Sequence, residues 1–387
     1  MSRILEGAFH DLLSRIKKLS NRLIDAKIEK NLDAKFIRRT HDLLDSLSLK
    51  VQKVINNEQL DAPFLADDYL RNFRQLNDEC TEIETYRCLI IHSFGDAEIY
   101  FNKLIRRIFS EIRYVGNRPI PLLTTSTAPQ NYYWVHTKHD LIGVPPGEEH
   151  NLLHIPDIYH EIAHIIFLIA QTSLNYNWVI GRFPQDVTTY FTNRKFLAEE
   201  RNQPREYITK LDTWHDMWIK PEKSKWLEEF ACDLIATYLV GPAYAWTHLK
   251  LVISEGKATY DLYNITSENH PADEARMRAI RYMLFELGQS DAINQLDQAW
   301  DLVLQTYKKK PTYYDSVYPD ELLEKFAQTV YRACSKQTLQ SYRQQIEQQD
   351  PPLSALLNEA WMKLHASPDT YASWEKQTIL ELRRELD

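Results

Sequence analysis

Tyr159-His160-Glu161-Ile162-Ala163-His164-Ile165-Ile166 is the stretch on which the reading of this chain turns. It contains H-E-x-x-H inside an apolar run that continues through Phe167-Leu168-Ile169-Ala170, and Pro156, a residue suited to the first turn of a helix, stands just ahead of it. The pattern predicts a buried helix from Pro156 to about Thr172. Residues four apart share a helical face, so both imidazoles can point at one ion while Glu161 projects beside them toward an open coordination position. That is what metal-assisted hydrolysis needs, because zinc makes water acidic near neutrality and an adjacent carboxylate can accept the proton as water attacks a carbonyl. With 13 His in 387 residues, chance alone yields roughly 0.06 such motifs. A helix with two ordinary histidines is the bland counterpart.

A catalytic zinc site needs a third protein ligand. Downstream lies Trp226-Leu227-Glu228-Glu229-Phe230-Ala231-Cys232-Asp233, again in helical pattern. Glu229 and Asp233 share a face; Glu229 can ligate the metal with His160 and His164, and Asp233 can accept the outer N–H of a ligating histidine. Glu228 is the rival ligand, but its partner at i+4 is Cys232, which offers no comparable acceptor. The bland counterpart is an ordinary acidic helix face.

These residues resemble the motifs of the gluzincin metallopeptidases, and within them those of the family that includes the CAAX prenyl proteases and the bacterial membrane heat-shock protease. There the H-E-x-x-H helix is followed by E-F-x-A-D, and this chain reads Glu229-Phe230-Ala231-Cys232-Asp233, departing by Cys for Ala. The later H-P-x-x-x-x-R motif is matched by His270-Pro271-Ala272-Asp273-Glu274-Ala275-Arg276. The resemblance spans roughly residues 150–285. It implies a zincin-like core, Zn2+ as cofactor, Glu161 as general base, and His270 and Arg276 facing the cleft, where they bind the oxyanion or order the active-site helices. Membrane-bound members carry spanning helices and this chain has no apolar run of that length, so membrane-embedded substrates do not carry over.

Outward from the motif, Leu5, Phe9, Leu12, Ile16, Leu19 and Leu23 alternate steps of four and three, the stripe of an amphipathic helix. Leu43, Leu47, Val51 and Val54 continue that periodicity up to a stop at Pro63, and a third helical stretch runs from Asp67 to Tyr114 with a break near Gly95. The texture changes after Gly116, where short strands fit Tyr132–His136 and Leu141–Val144, closed by Pro145-Pro146-Gly147. Either strand can hold an extended substrate segment beside the zinc helix. Pro184, Pro204 and Pro221 punctuate a segment, 181–225, that has no clear pattern and can roof the cleft. Helices are expected at about 222–247, 272–287, 291–307, 320–333, 336–349, 352–366 and 369–385. The expected class is mainly α (α+β): a zincin-like metallopeptidase domain at 116–288 with a small β-sheet, flanked by an N-terminal helical bundle at 1–115 and a C-terminal helical domain at 289–387.

Only nine Gly occur in the chain, which fits a helical protein with few tight turns. A net charge of -8 argues against a nucleic-acid partner, since neutralising phosphates needs a cationic surface. Cys80, Cys88, Cys232 and Cys334 lack disulfide-framework spacing, and the N-terminus lacks a signal-peptide pattern, so a reducing, cytoplasmic setting without membrane contact is expected. The partners expected are a protein or peptide substrate and a regulatory protein engaging the helical arms. The function expected is a soluble zinc endopeptidase; a helical binding protein with a structural or vestigial zinc site is the alternative, and hydrolysis of a bond other than a peptide remains open.

Overall fold

The structure, a computed structural model, describes residues 2–25, 32–57, 66–114, 119–125, 133–172, 182–221, 223–255, 259–260, 270–306, 310–336, 338–348 and 350–387. Pro63, Tyr132 and the stretch 173–181 therefore lie outside the described residues. The chain is mainly helical with one small mixed sheet. Its strands are β1 (Leu122–Thr124), β2 (Trp134–His136) and β3 (Leu141–Gly143), ordered β1–β3–β2, with β1 and β3 parallel and Leu122 opposite Leu141. The sequence reading allows two or three strands in this stretch and gives spans for two, of which β1 is neither. It also offers β3 as a strand for substrate, but β3 is the central strand; only β2 of that pair is at an edge.

The residues fall into two compact units, one comprising 1–104, 121–132 and 138–146, the other 105–120, 133–137 and 147–387. The H-E-x-x-H helix and the C-terminal helices share the second of these units.

In the first unit, α1 (Ser2–Asp25) buries Phe9, Leu12, Ile16, Leu19 and Leu23 against α2 (Ala34–Ile55), whose inner stripe is Phe36, Thr40, Leu44, Leu47 and Val51. Asp33 caps α2 by accepting from Lys35 N at 2.8 Å. The third stretch resolves into α3 (Ala66–Ile83), a π-helical turn (Glu84–Cys88) and α4 (Leu89–Ser93), and α5 (Asp96–Glu111) starts after the break at Phe94-Gly95. The π-helical turn carries Arg87, which is buried and donates to Phe36 O, Thr40 Oγ1 and His139 O with its guanidinium over the Phe36 ring.

The second unit is built around two helices that are buried on nearly every side, as their apolar composition requires. These are α6 (Ile155–Thr172), which packs against β2, and α9 (Trp226–Val240), which packs along α6. The segment 181–225, unpatterned in sequence, forms the antiparallel pair α7 (Phe183–Glu200) and α8 (Arg205–Ile219), and Trp218 of α8 stacks on Phe230 of α9. The single helix expected at 222–247 is two, α9 and α10 (Pro242–Glu255), broken at Gly241. There φ is +68° and a Cβ would lie 2.5 Å from the Tyr342 ring, so glycine is required.

α11 (Asp273–Glu286) lies against α9 and α10, followed by α12 (Ser290–Thr306) and the short α13 (Tyr314–Val317). α14 (Asp320–Lys336) covers α9 and α11. Among the described residues of the helix expected at 336–349, the helix that forms past Lys336 is α15 (Tyr342–Ile346), started by a Ser341/Gln344 capping box. α16 (Leu353–Ala366) and α17 (Pro368–Leu386) complete the unit. Among the described residues no helix is long and apolar enough to cross a membrane, and all four cysteines are buried free thiols.

Candidate metal centre

α6 and α9 bring His160, His164 and Glu229 together, although 64 positions separate His164 from Glu228 in sequence. One ligand atom from each lies within 4.8 Å of the others. His160 Nε2 is 3.4 Å from Glu229 Oε2, and His164 Nε2 is 3.8 Å from Glu229 Oε1. A tetrahedral shell with bonds of about 2.0–2.1 Å sets its donor atoms about 3.3–3.4 Å apart, so small side-chain adjustments suffice to close around an ion. Both imidazoles present Nε2 inward and have Nδ1 engaged behind, which is how second partners fix a ligating histidine.

Those partners differ. His160 Nδ1 lies 3.0 Å from Asp233 Oδ1 and 2.9 Å from the Tyr244 hydroxyl, which itself donates to Asp233 Oδ1. Asp233 is fully buried and receives two bonds of 2.7 Å from Arg276 Nε and Nη2. His164 Nδ1 instead meets Glu228 Oε1 at 2.9 Å, and that carboxylate is 34% exposed. Glu228 thus stands behind His164, a role the sequence reading does not give it. Tyr244 had no local signal, because its contact depends on the turn at Gly241 that folds α10 back onto α9.

His270 and Arg276, expected together at the cleft, divide. His270 Nδ1 is 3.0 Å from Glu229 Oε2 with its side chain 59% exposed, whereas Arg276 is buried on Asp233. Arg276 therefore stands behind His160 through Asp233, the position of a residue that orders the helices. His154 bonds Glu148 at 2.7 Å and His215 bonds Thr188 at 3.0 Å, both outside the centre.

The charge balance favours a dication. Glu161, Glu229 and Asp233 are buried carboxylates, and Arg276 is the buried guanidinium beside them. Three negative charges against one positive leave an excess of two when the imidazoles are neutral, and such an excess is costly away from water unless it is matched. Without an ion, the imidazole of His160 makes up part of the deficit. Burial works against its charged form, but hydrogen bonds to Asp233 and Glu229 outweigh burial and push its pKa up to about 10. Burial likewise opposes ionisation of Glu229, yet His160 and His270 hold its carboxyl well below the usual range. Glu161, buried on the same face of α6, is raised above the usual carboxylate value, chiefly by burial. The donor set, two imidazole nitrogens and one carboxylate, suits a divalent ion of intermediate softness.

No family model, curated protein or solved structure matches this chain.

Proposed function

We propose that the chain is a zinc-dependent endopeptidase of the gluzincin type, with His160, His164 and Glu229 as metal ligands and Glu161 as general base. The observation that carries this reading is the convergence of those three donors, with a buried carboxylate one residue after the first of them. A zinc ion held there supplies Lewis acidity, polarising a carbonyl and making water nucleophilic near neutrality.

The chain's own groups do the remaining work. Glu161 accepts the proton of the attacking water and returns it to the departing amine. Asp233 holds His160 in the tautomer that presents Nε2, and Glu228 does the same for His164. His270, exposed at the rim beside Glu229, can donate to the developing oxyanion. β2, at the sheet edge and packed on α6, is the strand available to an extended peptide.

The test pairs metal content with cleavage of an unstructured protein such as casein. Wild type should hold about one zinc per chain and cleave. Glu161→Gln should hold the same zinc and lose about 10²–10⁴-fold in rate. Full activity in Glu161→Gln refutes the general-base assignment. Zinc bound with no cleavage by wild type favours the structural-site alternative.

A further inference from the structure

Outside the metal centre, three side chains stand in series at the entry to α6. Glu148 and His154 belong to two successive 3-10 turns, Glu148–His150 and Leu152–His154, and Lys250 is on α10. Glu148 Oε2 lies 2.7 Å from His154 Nδ1, and Lys250 Nζ donates to His154 Nε2 at 2.5 Å. The backbone around them is pinned from both sides. Thr247 Oγ1, one turn before Lys250, donates to Leu153 O at 2.8 Å, and Leu152 N donates to Glu375 of α17 at 2.8 Å. The imidazole is 26% exposed and Lys250 is partly exposed, so solvent reaches the row.

The contacts fix the roles of the atoms. A carboxylate at 2.7 Å places the imidazole proton on Nδ1, the nitrogen it faces, which leaves the Nε2 lone pair to accept from the amine. Tyr133 donates to the same Glu148 oxygen at 3.3 Å, and the Asn151 amide lies 3.0 Å from Nδ1, with its Oδ1 accepting from Leu153 N. Lys50, Lys195, Lys220 and Lys325 are held as ammonium ions by carboxylates. Among the described residues Lys250 forms no ion pair, and its contact is a ring nitrogen. Burial takes its pKa below the ordinary lysine value, outweighing the carboxylates of Glu148, Asp157 and Glu375. A half-buried amine beside a base, with that base oriented by a carboxylate, is the arrangement of an activated nucleophile.

We propose that Lys250 takes an acyl group from a small activated acyl donor, a thioester or an acyl phosphate, with His154 as general base and Glu148 positioning the imidazole. The Nζ lone pair forms the bond to the carbonyl carbon, and His154 Nε2 takes a proton from the Nζ of the adduct. The C–S or C–O bond then breaks, its electron pair leaving on thiolate or phosphate, and the proton on His154 passes to the leaving group or to water. Nothing is oxidised or reduced, and the product is an uncharged amide at Lys250. An amine that has added to an acyl carbon reverses unless it loses a proton, and the base 2.5 Å from Nζ removes it.

Incubation of the full chain with acetyl phosphate in one arm and acetyl-CoA in the other, read by site-resolved mass spectrometry, tests this with Lys195 and Lys220 as internal standards. Lys250 should be acetylated at least about tenfold faster than either standard, and the faster arm tells acyl phosphate from thioester. His154→Gln should slow Lys250 by about tenfold or more and leave the standards unchanged. Acetylation of Lys250 in wild type should be slower in heavy water, a difference lost in His154→Gln that a merely structural histidine would not produce. Glu148→Gln should slow Lys250, and Glu148→Asp, which keeps the carboxylate, should recover part of the rate. The comparison within wild type needs no variant and decides the proposal even where a variant fails to fold. Lys250 acetylated no faster than Lys195 and Lys220 by either donor, or as fast in folded His154→Gln as in wild type, overturns the proposal.

Discussion

Arg276 grips Asp233 through two bonds of 2.7 Å, from Nε to Oδ2 and from Nη2 to Oδ1, and neither residue has appreciable contact with water. This pair joins α11 to α9 directly behind His160, one of the three donors proposed to hold the metal. Removing the guanidinium takes from the buried carboxylate its ion-pair partner and two of its hydrogen bonds, leaving it the Tyr244 hydroxyl and His160, and breaking such a pair costs about 3–5 kcal/mol. Arg276→Met should therefore lower the free energy of unfolding by that order, and Arg276→Lys, which keeps the charge but loses the fork, by less. Urea denaturation of the three proteins checks the ranking. Stability of Arg276→Met within about 1 kcal/mol of wild type means that Asp233 is held by other means.

The two imidazoles should respond unequally to loss of their outer partners. Tyr244→Phe removes a hydroxyl bonded to both His160 and Asp233 in a buried site, where water cannot replace it. Glu228→Ala removes an acceptor at a position open enough for water to stand in. Loss of an outer-sphere partner costs about 10–100-fold in metal affinity. Tyr244→Phe should fall within that range and Glu228→Ala at or below its lower end, measured by competition for zinc with a chromophoric chelator. The reverse order sinks the argument from burial.

Gly241 links backbone geometry to the site. With φ at +68° and the Tyr342 ring 2.5–2.9 Å from the position of a Cβ, alanine there meets both strain and overpacking. Each costs about 1–3 kcal/mol. Gly241→Ala should destabilise by about 2–6 kcal/mol and also weaken metal binding, because the turn brings Tyr244 onto His160. Adding Tyr342→Ala should recover the packing share and leave the backbone share. Unfolding free energies of the two singles and the double separate them, and a Gly241→Ala protein as stable as wild type removes the claim.

How far the sequence discloses this arrangement depends on the range of the signal. His160, His164, Glu229 and Asp233 each belong to an i, i+4 pair on one helix, so their shared faces follow from helical geometry alone. The stripe from Phe9 to Leu23 is legible for the same reason. Tyr244 and Arg276 reach Asp233 only after α9, α10 and α11 have packed, and no local periodicity encodes that. Glu228 misleads because its helical partner, Cys232, is inert; its actual partner, His164, is on another helix. α7 and α8 are obscured by prolines that start helices at Pro184 and Pro204, where the same residue inside a helix would break it. Gly241 reads as part of a continuous apolar run until the positive φ is seen.

A buried histidine outside the ligand set makes stability depend on pH. His248, on α10, is 1% exposed, and its Nε2 lies 3.4 Å from Asp273 O. Burial, reinforced by the neighbouring Arg276 guanidinium, pushes its pKa down to about 3. An unfolded histidine titrates near 6.5. Between those values the unfolded chain holds a proton that the folded chain does not, so stability rises with pH across that window and its contribution is lost as pH falls from about 6.5 toward 3. One proton changes stability by about 1.4 kcal/mol per pH unit. Replacing the imidazole, as in His248→Gln, should remove this slope while leaving other titrations common to both proteins. With metal removed from both, the free-energy advantage of wild type over the variant should shrink by about 2 kcal/mol between pH 6.5 and pH 5. A difference that stays constant across that interval means His248 is not held neutral in the folded protein.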